Sequence, residues 1–434
     1  MTRRDWERGD IRGRDFPVHL DALRIAGPRF LTEGFRATGS MGTNNSVAAI
    51  TELEPFSGGS TGRKALLSVT YKHSDPELPE RLFVKFSRDF DNELRDRGKR
   101  QMESEVRFGL LSQIPDFPVA VPRCLFAEYH VESGSGILIS ERIAFGAGGI
   151  EPHHPKAQDY EIENVRAHYD VLVAALARLA GSHRAGRFPD DVMAHFESGP
   201  AKVKAREGKS CAADQVRSRV IRYADFAAQC PQLLPASIRS EAFIDLLLTE
   251  VPRSFEHADA LRTALRESAR DLFAFCHWNA NIDNAWYWQN RNGDLACGLL
   301  DWGNVGVMNM VTALSSALVF AEPDFVIENL DHFFDLFSGV FAEVGGGPLD
   351  PALLKLQFSL QMVVGGLQWP LDIVPLILRH LPVLTSATDR FDPRIADDEF
   401  LRTQLHLLTA YLMLWQASDP GGLIDRAAAA AKGP

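Results

Sequence analysis

The chain has few cysteines and no pattern among them. Cys124, Cys211, Cys230, Cys276 and Cys297 are scattered through 434 residues without a Cys-x-x-Cys pair. That excludes a disulfide scaffold and a cysteine-held zinc site, and it suits reduced thiols in a cytoplasmic protein. A basic surplus is also missing: 46 Lys and Arg against 57 Asp and Glu give a net charge of −11. This is the wrong sign for a nucleic-acid partner held by phosphate neutralisation. The opening run Met1-Thr2-Arg3-Arg4-Asp5-Trp6-Glu7-Arg8 is too charged for a signal peptide. Residues 302–321 carry no charge over about the length of a membrane span, yet they include Gly303, Asn304, Gly306, Asn309, Thr312, Ser315 and Ser316. A loop followed by a buried helix is expected there, and no membrane partner. No internal repeat is visible, and low complexity is confined to the Ala-rich 427–431.

What is present is the ordinary composition of a globular protein. Hydrophobic residues make up 45% and charged residues 24%, in a chain of 48.1 kDa that is long enough for two or three core-bearing units. Residues 1–45 read as a polar lead with one helix around Leu31 to Ala37. Residues 46–143 turn to β: Leu66 to Tyr71 and Arg81 to Phe86 are short β-prone runs around a turn-rich Ser74 to Pro79. A charged stretch from Asp89 to Leu111 reads as a loop and then a helix, ended by Pro115 and Pro118. Val121 to Ala127 and Gly136 to Ser140 supply two more strands, turned by Gly134-Ser135-Gly136. Strands, one helix and strands again predict a small twisted sheet with a packed helix. Gly146-Ala147-Gly148-Gly149 marks a boundary near 142–150. The remainder, 144–434, reads as helical, with Val171 to Ala180 the clearest helix. It is interrupted by a hairpin, Asn284 to Trp288 and Leu295 to Leu299, whose Asn292-Gly293 is a strong turn signal.

Several residues in this frame carry chemistry. Ser57-Gly58-Gly59-Ser60-Thr61-Gly62 precedes a strand, and its small residues suit backbone approach to phosphate oxygens, with Gly59, Ser60 and Thr61 as the candidates. It is not a Walker A loop: Arg63 and Lys64 follow Gly62, but no Ser or Thr follows Lys64. Lys85 ends the apolar run Leu82-Phe83-Val84, where an unpaired buried ammonium is costly. A phosphate and a helix carboxylate, Glu105, would pair it. Residues 277–284 read His-Trp-Asn-Ala-Asn-Ile-Asp-Asn, and Leu299-Leu300-Asp301-Trp302-Gly303 follows after the hairpin. The amide oxygen of Asn284 and the carboxylate of Asp301 are hard donors of the kind Mg²⁺ takes. His277 reads as a structural hydrogen-bonder, and Cys276 and His277, as neighbours on a strand, point to opposite faces and form no catalytic pair. His153 and His154 read as a loop pair.

These residues resemble the aminoglycoside phosphotransferase and choline kinase-like superfamily, nearest in texture to its ecdysteroid kinase-like branch, over roughly residues 28 to 320. Val84-Lys85 is similar to that family's strand lysine, and Glu105-Val106-Arg107-Phe108 to its helix glutamate. Ile137 to Arg142, with Glu141, looks like the hinge that meets adenine, and His277 to Asn284 looks like the catalytic loop His-x-Asp-x-x-x-x-Asn. The resemblance implies an α+β, two-lobed protein-kinase-like fold, with a small β-rich N-lobe and a larger helical C-lobe. It also implies ATP with Mg²⁺ and phosphate transfer to a small-molecule hydroxyl.

The chain departs from that pattern at two places. Asn279 stands where the family has its catalytic Asp, and Val311-Thr312-Ala313 stands where the family usually has Asp-Leu-Ala. An amide accepts no proton near neutral pH, though its oxygen can still orient a hydroxyl. General base catalysis contributes on the order of 10²–10⁴-fold, whereas phosphoryl transfer leans more on positioning and electrostatics. The expectation is a slow kinase in which Asn279 orients the acceptor and Asp283 is a conceivable substitute base. The alternative is a nucleotide-binding pseudokinase with a regulatory role.

Overall fold

The computed structural model describes residues 5–59, 61–196, 213–365 and 367–431. Ser60 and Cys211, both named above, lie outside the described residues. The chain divides into two compact units: the first is Met1–Pro152 with Phe188–Glu197 and Trp286–Gly306, and the second is His153–Arg187, Ser198–Ala285 and Val307–Pro434. The first is built on a β-sheet and the larger second is helical, the α+β class expected from the sequence. The division differs from the linear reading in four places: the first boundary falls after Pro152, and Phe188–Glu197 joins the first unit. The lead segment 1–45 belongs with the sheet, and so does the hairpin of 286–306 together with the Asp301 turn that follows it.

In the first unit, β1 (Trp6–Arg8) and β2 (Asp15–Pro17) pair with each other, and five further strands form an antiparallel sheet. These are β3 (Val47–Phe56), β4 (Arg63–Tyr71), β5 (Arg81–Phe86), β6 (Cys124–His130) and β7 (Ser135–Glu141), in the order β3-β4-β5-β7-β6. Strand β3 is absent from the sequence reading. Of its ten residues only Val47 and Leu53 are buried, and its pairing with β4 shifts register twice. An irregular edge strand has no clean two-residue period to read.

Alternation in β5 divides its side chains between two faces. Leu82, Val84 and Phe86 are buried in a core with Leu23, Phe30, Leu31 and Phe35 of α1 (Leu20–Ala37). That helix begins well before the expected Leu31. His19 caps it by accepting from the Ala22 N–H, and Gly27 breaks it at φ 61 ahead of Pro28. The kink hides its early turns from a periodicity search. Phe83 and Lys85 take the other face. There α2 (Glu93–Asp96) and α3 (Met102–Leu111) follow β5, and Met102 and Val106 of α3 pack with Cys124, Ala127, Tyr129 and Leu138. The lead segment is tied down by a fully buried carboxylate, Glu128, which accepts from the backbone N–H groups of Ile11, Arg12 and Arg14.

In the second unit, α4 (Val165–Arg184) is almost wholly buried along one side. The short strand β8 (Phe273–Cys276) leads into the 277–284 loop, after which the chain returns to the first unit as β9 (Ala285–Gln289) and β10 (Leu295–Leu299), turned by Gly293 at φ 86. Helix α5 (Met310–Leu318) is the buried helix expected after the uncharged loop, capped by Asn309. Helices α6 (Pro323–Glu343) and α7 (Glu399–Ala417) follow. Gly181 of α4 meets α6 closely: a Cβ there would stand 2.8 Å from the Phe341 carbonyl oxygen and 2.4 Å from Val344. Three residues on, Arg184 donates to the carbonyls of Asp271 and Phe273, at 2.8 and 3.4 Å. Among the described residues no single helix is long and apolar enough to cross a membrane, and Cys124, Cys230, Cys276 and Cys297 form no disulfide.

Candidate functional site

Strand β5 sets Lys85 on the face of the sheet that α3 covers, and α3 answers with Glu105. The Lys85 Nζ donates to Glu105 Oε1 at 2.6 Å and to Asp301 Oδ1 at 2.7 Å. Three elements distant in sequence thus meet at one ammonium within the first unit. Burial alone would lower the lysine's pKa, but the Asp301 and Glu105 carboxylates outweigh it and hold Lys85 charged, above its usual range. Glu105 is 6% exposed, and burial pushes its carboxyl up against the opposing pull of Lys85. The Asp301 side chain is 49% exposed, so the cluster is open on one side.

The Asp301 turn is placed by its neighbours. Asp301 adopts φ 56, a left-handed conformation that Asp tolerates better than most residues. Trp302 is 3% exposed, donates its indole N–H to the Leu299 carbonyl at 2.9 Å, and stacks face to face on Phe108, with centroids 3.7 Å apart and planes 9° apart. Phe108 lies one helical turn from Glu105 on α3, so a single helix holds both the lysine's glutamate and the tryptophan that aims Asp301. The hairpin before the turn is fixed to the sheet unit through the Leu299 N–H, which donates to the Ala120 carbonyl at 2.9 Å. The stack was not legible in sequence, because it joins two residues whose roles looked unrelated.

The glycine-rich loop ahead of β4 is held by its carbonyls. Gly58 accepts from Lys64 Nζ at 3.0 Å and from Arg95 Nη2 at 3.1 Å, and Gly62 accepts from Arg95 Nε at 3.1 Å. Gly59 has φ 68, and a Cβ on it would fall 1.7 Å from Lys64 Nζ. The positive φ is what favours glycine here, since the atom met is the far end of a flexible lysine. Thr61 lies in the same loop. Glu141 ends β7, opposite Leu82 of β5, and its backbone N–H donates to the Arg123 carbonyl at 2.9 Å.

The 277–284 loop belongs to the second unit and is organised by neutral amides. His277 is 1% exposed, and its Nδ1 accepts from the Asn279 N–H at 3.1 Å, the structural part expected of it. Asn284 Nδ2 donates to the Asn279 carbonyl at 2.8 Å, leaving its amide oxygen available as a donor to a cation. Asn281, a residue the sequence reading passed over, is completely buried, and its Nδ2 donates to Asn279 Oδ1 at 2.8 Å. Asp283 turns elsewhere. Its Oδ2 lies 3.3 Å from Lys156 Nζ and its side chain is only 15% exposed. Burial raises its pKa, with Lys156 opposing. Cys276 is buried and its thiol is pushed far up by that burial, so it offers no thiolate.

No family model matches the chain, and no curated protein matches it. Solved structures do. The GDP complex of wild-type aminoglycoside 2'-phosphotransferase-IIIa is 14% identical, covering 84% of this chain and 93% of that one, with a TM-score of 0.40. Choline kinase from Cryptosporidium parvum Iowa II is 13% identical over 87% and 92% of the two chains, with a TM-score of 0.43. A microcompartment-associated aminopropanol kinase is 14% identical over 91% and 93%, with a TM-score of 0.39. Scores this low transfer no activity, and the chain's own residues bear the functional reading.

Proposed function

We propose that the protein is an ATP- and Mg²⁺-dependent phosphotransferase acting on a hydroxyl of a small molecule. The observation that carries this reading is the Lys85 ammonium held between Glu105 and Asp301, at 2.6 and 2.7 Å. A buried ionic triad is expensive to assemble for stability alone, and this one leaves Asp301 half exposed beside a glycine-rich loop. The donor set fits the groups proposed for it. In the first unit Lys85 would offer a fixed cation to phosphate oxygens and Asp301 a carboxylate to Mg²⁺, with Gly59 and Thr61 in the loop that would cover the phosphates; in the second, Asn284 has an amide oxygen of the kind Mg²⁺ takes. The nucleotide supplies the activated phosphoryl group. Glu105 keeps Lys85 in place, Glu141 ends the strand proposed to meet the adenine, and Asn279 orients the acceptor hydroxyl.

A second reading, a nucleotide-binding pseudokinase, is favoured by one specific observation. The side-chain oxygen of Asn279 already accepts from Asn281, and Asp283 is occupied with Lys156, so the loop presents no free carboxylate as a base. Both readings require nucleotide. Titration of the full chain with ATP and MgCl₂ in a thermal-shift assay should raise its melting temperature, and the absence of any shift would overturn both. Turnover of ATP by the wild type in the presence of small alcohols and amino alcohols separates them.

A further inference from the structure

Strand register places a second lysine beside the first. In the antiparallel pairing of β4 with β5, Lys64 stands directly opposite Lys85, so the two side chains share one face of the sheet. Like charges directly opposite on a sheet are unfavourable, and burial followed by the Lys85 charge lowers the pKa of Lys64. The two lysines are not balanced alike. Lys85 has two carboxylates within 2.7 Å. Lys64 has no carboxylate within ion-pair distance among the described residues, and its Nζ rests on a neutral group, the Gly58 carbonyl. The Arg95 guanidinium donates to that same carbonyl. Two cations therefore converge on one uncharged oxygen at the glycine-rich loop. A partly buried cation gains more from an anionic oxygen than from an amide carbonyl; Arg95 has one in Asp89 at 3.5 Å, whereas Lys64 feels the Asp301 and Glu105 charges without touching either.

We propose that Lys64 is a second phosphate-binding cation of the nucleotide site, parked on Gly58 in this structure and released to the phosphate chain of a bound nucleoside triphosphate. This rests on the nucleotide reading above and goes past it by naming a contact that neither the glycine loop nor the strand lysine supplies. The short Gly59 suits the exchange, because any side chain at that position would occupy the space that Lys64 fills. Arg95 keeps the loop in place through Gly62 and Gly58 when Lys64 leaves.

The test is calorimetric titration of the full chain and of the Lys64→Met, Lys64→Arg and Lys85→Met variants, with adenosine, AMP, ADP and ATP in the presence of MgCl₂. A charge-assisted contact to phosphate corresponds to about a ten- to hundredfold loss of affinity when removed. Lys64→Met should therefore weaken ATP by that factor and ADP by less, leave adenosine within about twofold, and Lys64→Arg should recover most of the loss. An equal loss for adenosine and ATP would assign Lys64 to loop structure alone and overturn the proposal. Unchanged ATP affinity in Lys64→Met alongside a loss in Lys85→Met would overturn it while leaving the nucleotide reading intact. A wild type that binds none of the four ligands would overturn both.

Discussion

One ionic cluster in the first unit and one in the second are built to different ends. The first unit sets Lys85 between Glu105 and Asp301. The second sets Glu322, at the start of α6, beside Arg390 and 3.8 Å from His406 of α7. Its backbone N–H donates to Asp159 at 3.1 Å. In the second cluster Asp159 is 1% and His406 4% exposed, and the groups lean the neutral way. Burial and then Glu322 push Asp159 up to about 7, while burial and then Arg390 push His406 down to about 4. In the first cluster the lysine is held charged and one carboxylate stays half open. Perturbed titration alone marks both clusters, so it does not separate a site from a structural knot. What separates them is access: only the first cluster has a partly exposed member standing beside a glycine loop and a spare cation.

Four changes break or sharpen this contrast. Trp302→Ala removes the ring that stacks on Phe108 and should destabilise the sheet unit by about 3–5 kcal/mol, read as a lower melting temperature and a lost ATP response. Asp301→Ala should cost about 10²–10³-fold in phosphate transfer, the scale of a lost electrostatic contact at the transition state, with a much smaller effect on melting. If it instead melts the protein without affecting nucleotide binding, the first cluster is structural like the second. Asn279→Asp should raise turnover about a hundredfold and introduce a pH dependence that follows the new carboxylate. A wild type already as fast as this variant would show that no base is needed.

The smallest effect is expected at the closed cluster. Asp159 titrates near 7 when folded against an ordinary 3.8, so the folded state holds the proton more tightly and stability falls as pH rises from about 4 to 7. His406 titrates near 4 against 6.5, so its contribution runs the other way and is lost as pH falls through the same window. Asp159→Asn removes only the first slope. Its melting temperature should exceed the wild type's by a few degrees at pH 8, fall back to the wild-type value near pH 4.5, and leave ATP affinity unchanged.

Much of this was legible in the residues because the chemistry forces unusual choices. A lysine in an apolar strand, a glutamate on the next helix and an Asp-Trp-Gly turn are conspicuous, and Lys85, Glu105 and Asp301 do meet. What stayed hidden depended on register or on long-range packing. Lys64 acquires meaning only when β4 and β5 are paired residue against residue. The Phe108–Trp302 stack joins a helix to a turn almost two hundred positions away, counting from their numbers in the chain. Asn281 is an uncharged residue in a polar loop, and only its burial shows that it holds Asn279. Strand β3 and the first turns of α1 escaped because an irregular edge and a glycine kink erase the periodicity that sequence reading relies on.

The glycine at position 181 reaches further than its size suggests. Its missing side chain lets α4 lie directly against α6, and the same helix grips the strand ahead of the 277–284 loop through Arg184. Spacing between two helices and aim of the loop are therefore one mechanical variable. Adding a single methyl group at Gly181 would act as a shim, displacing the strand and with it the loop's asparagines without touching any of them. Variation at a buried helix crossing, and not only at the polar residues themselves, is thus a route by which the geometry of this loop can be changed.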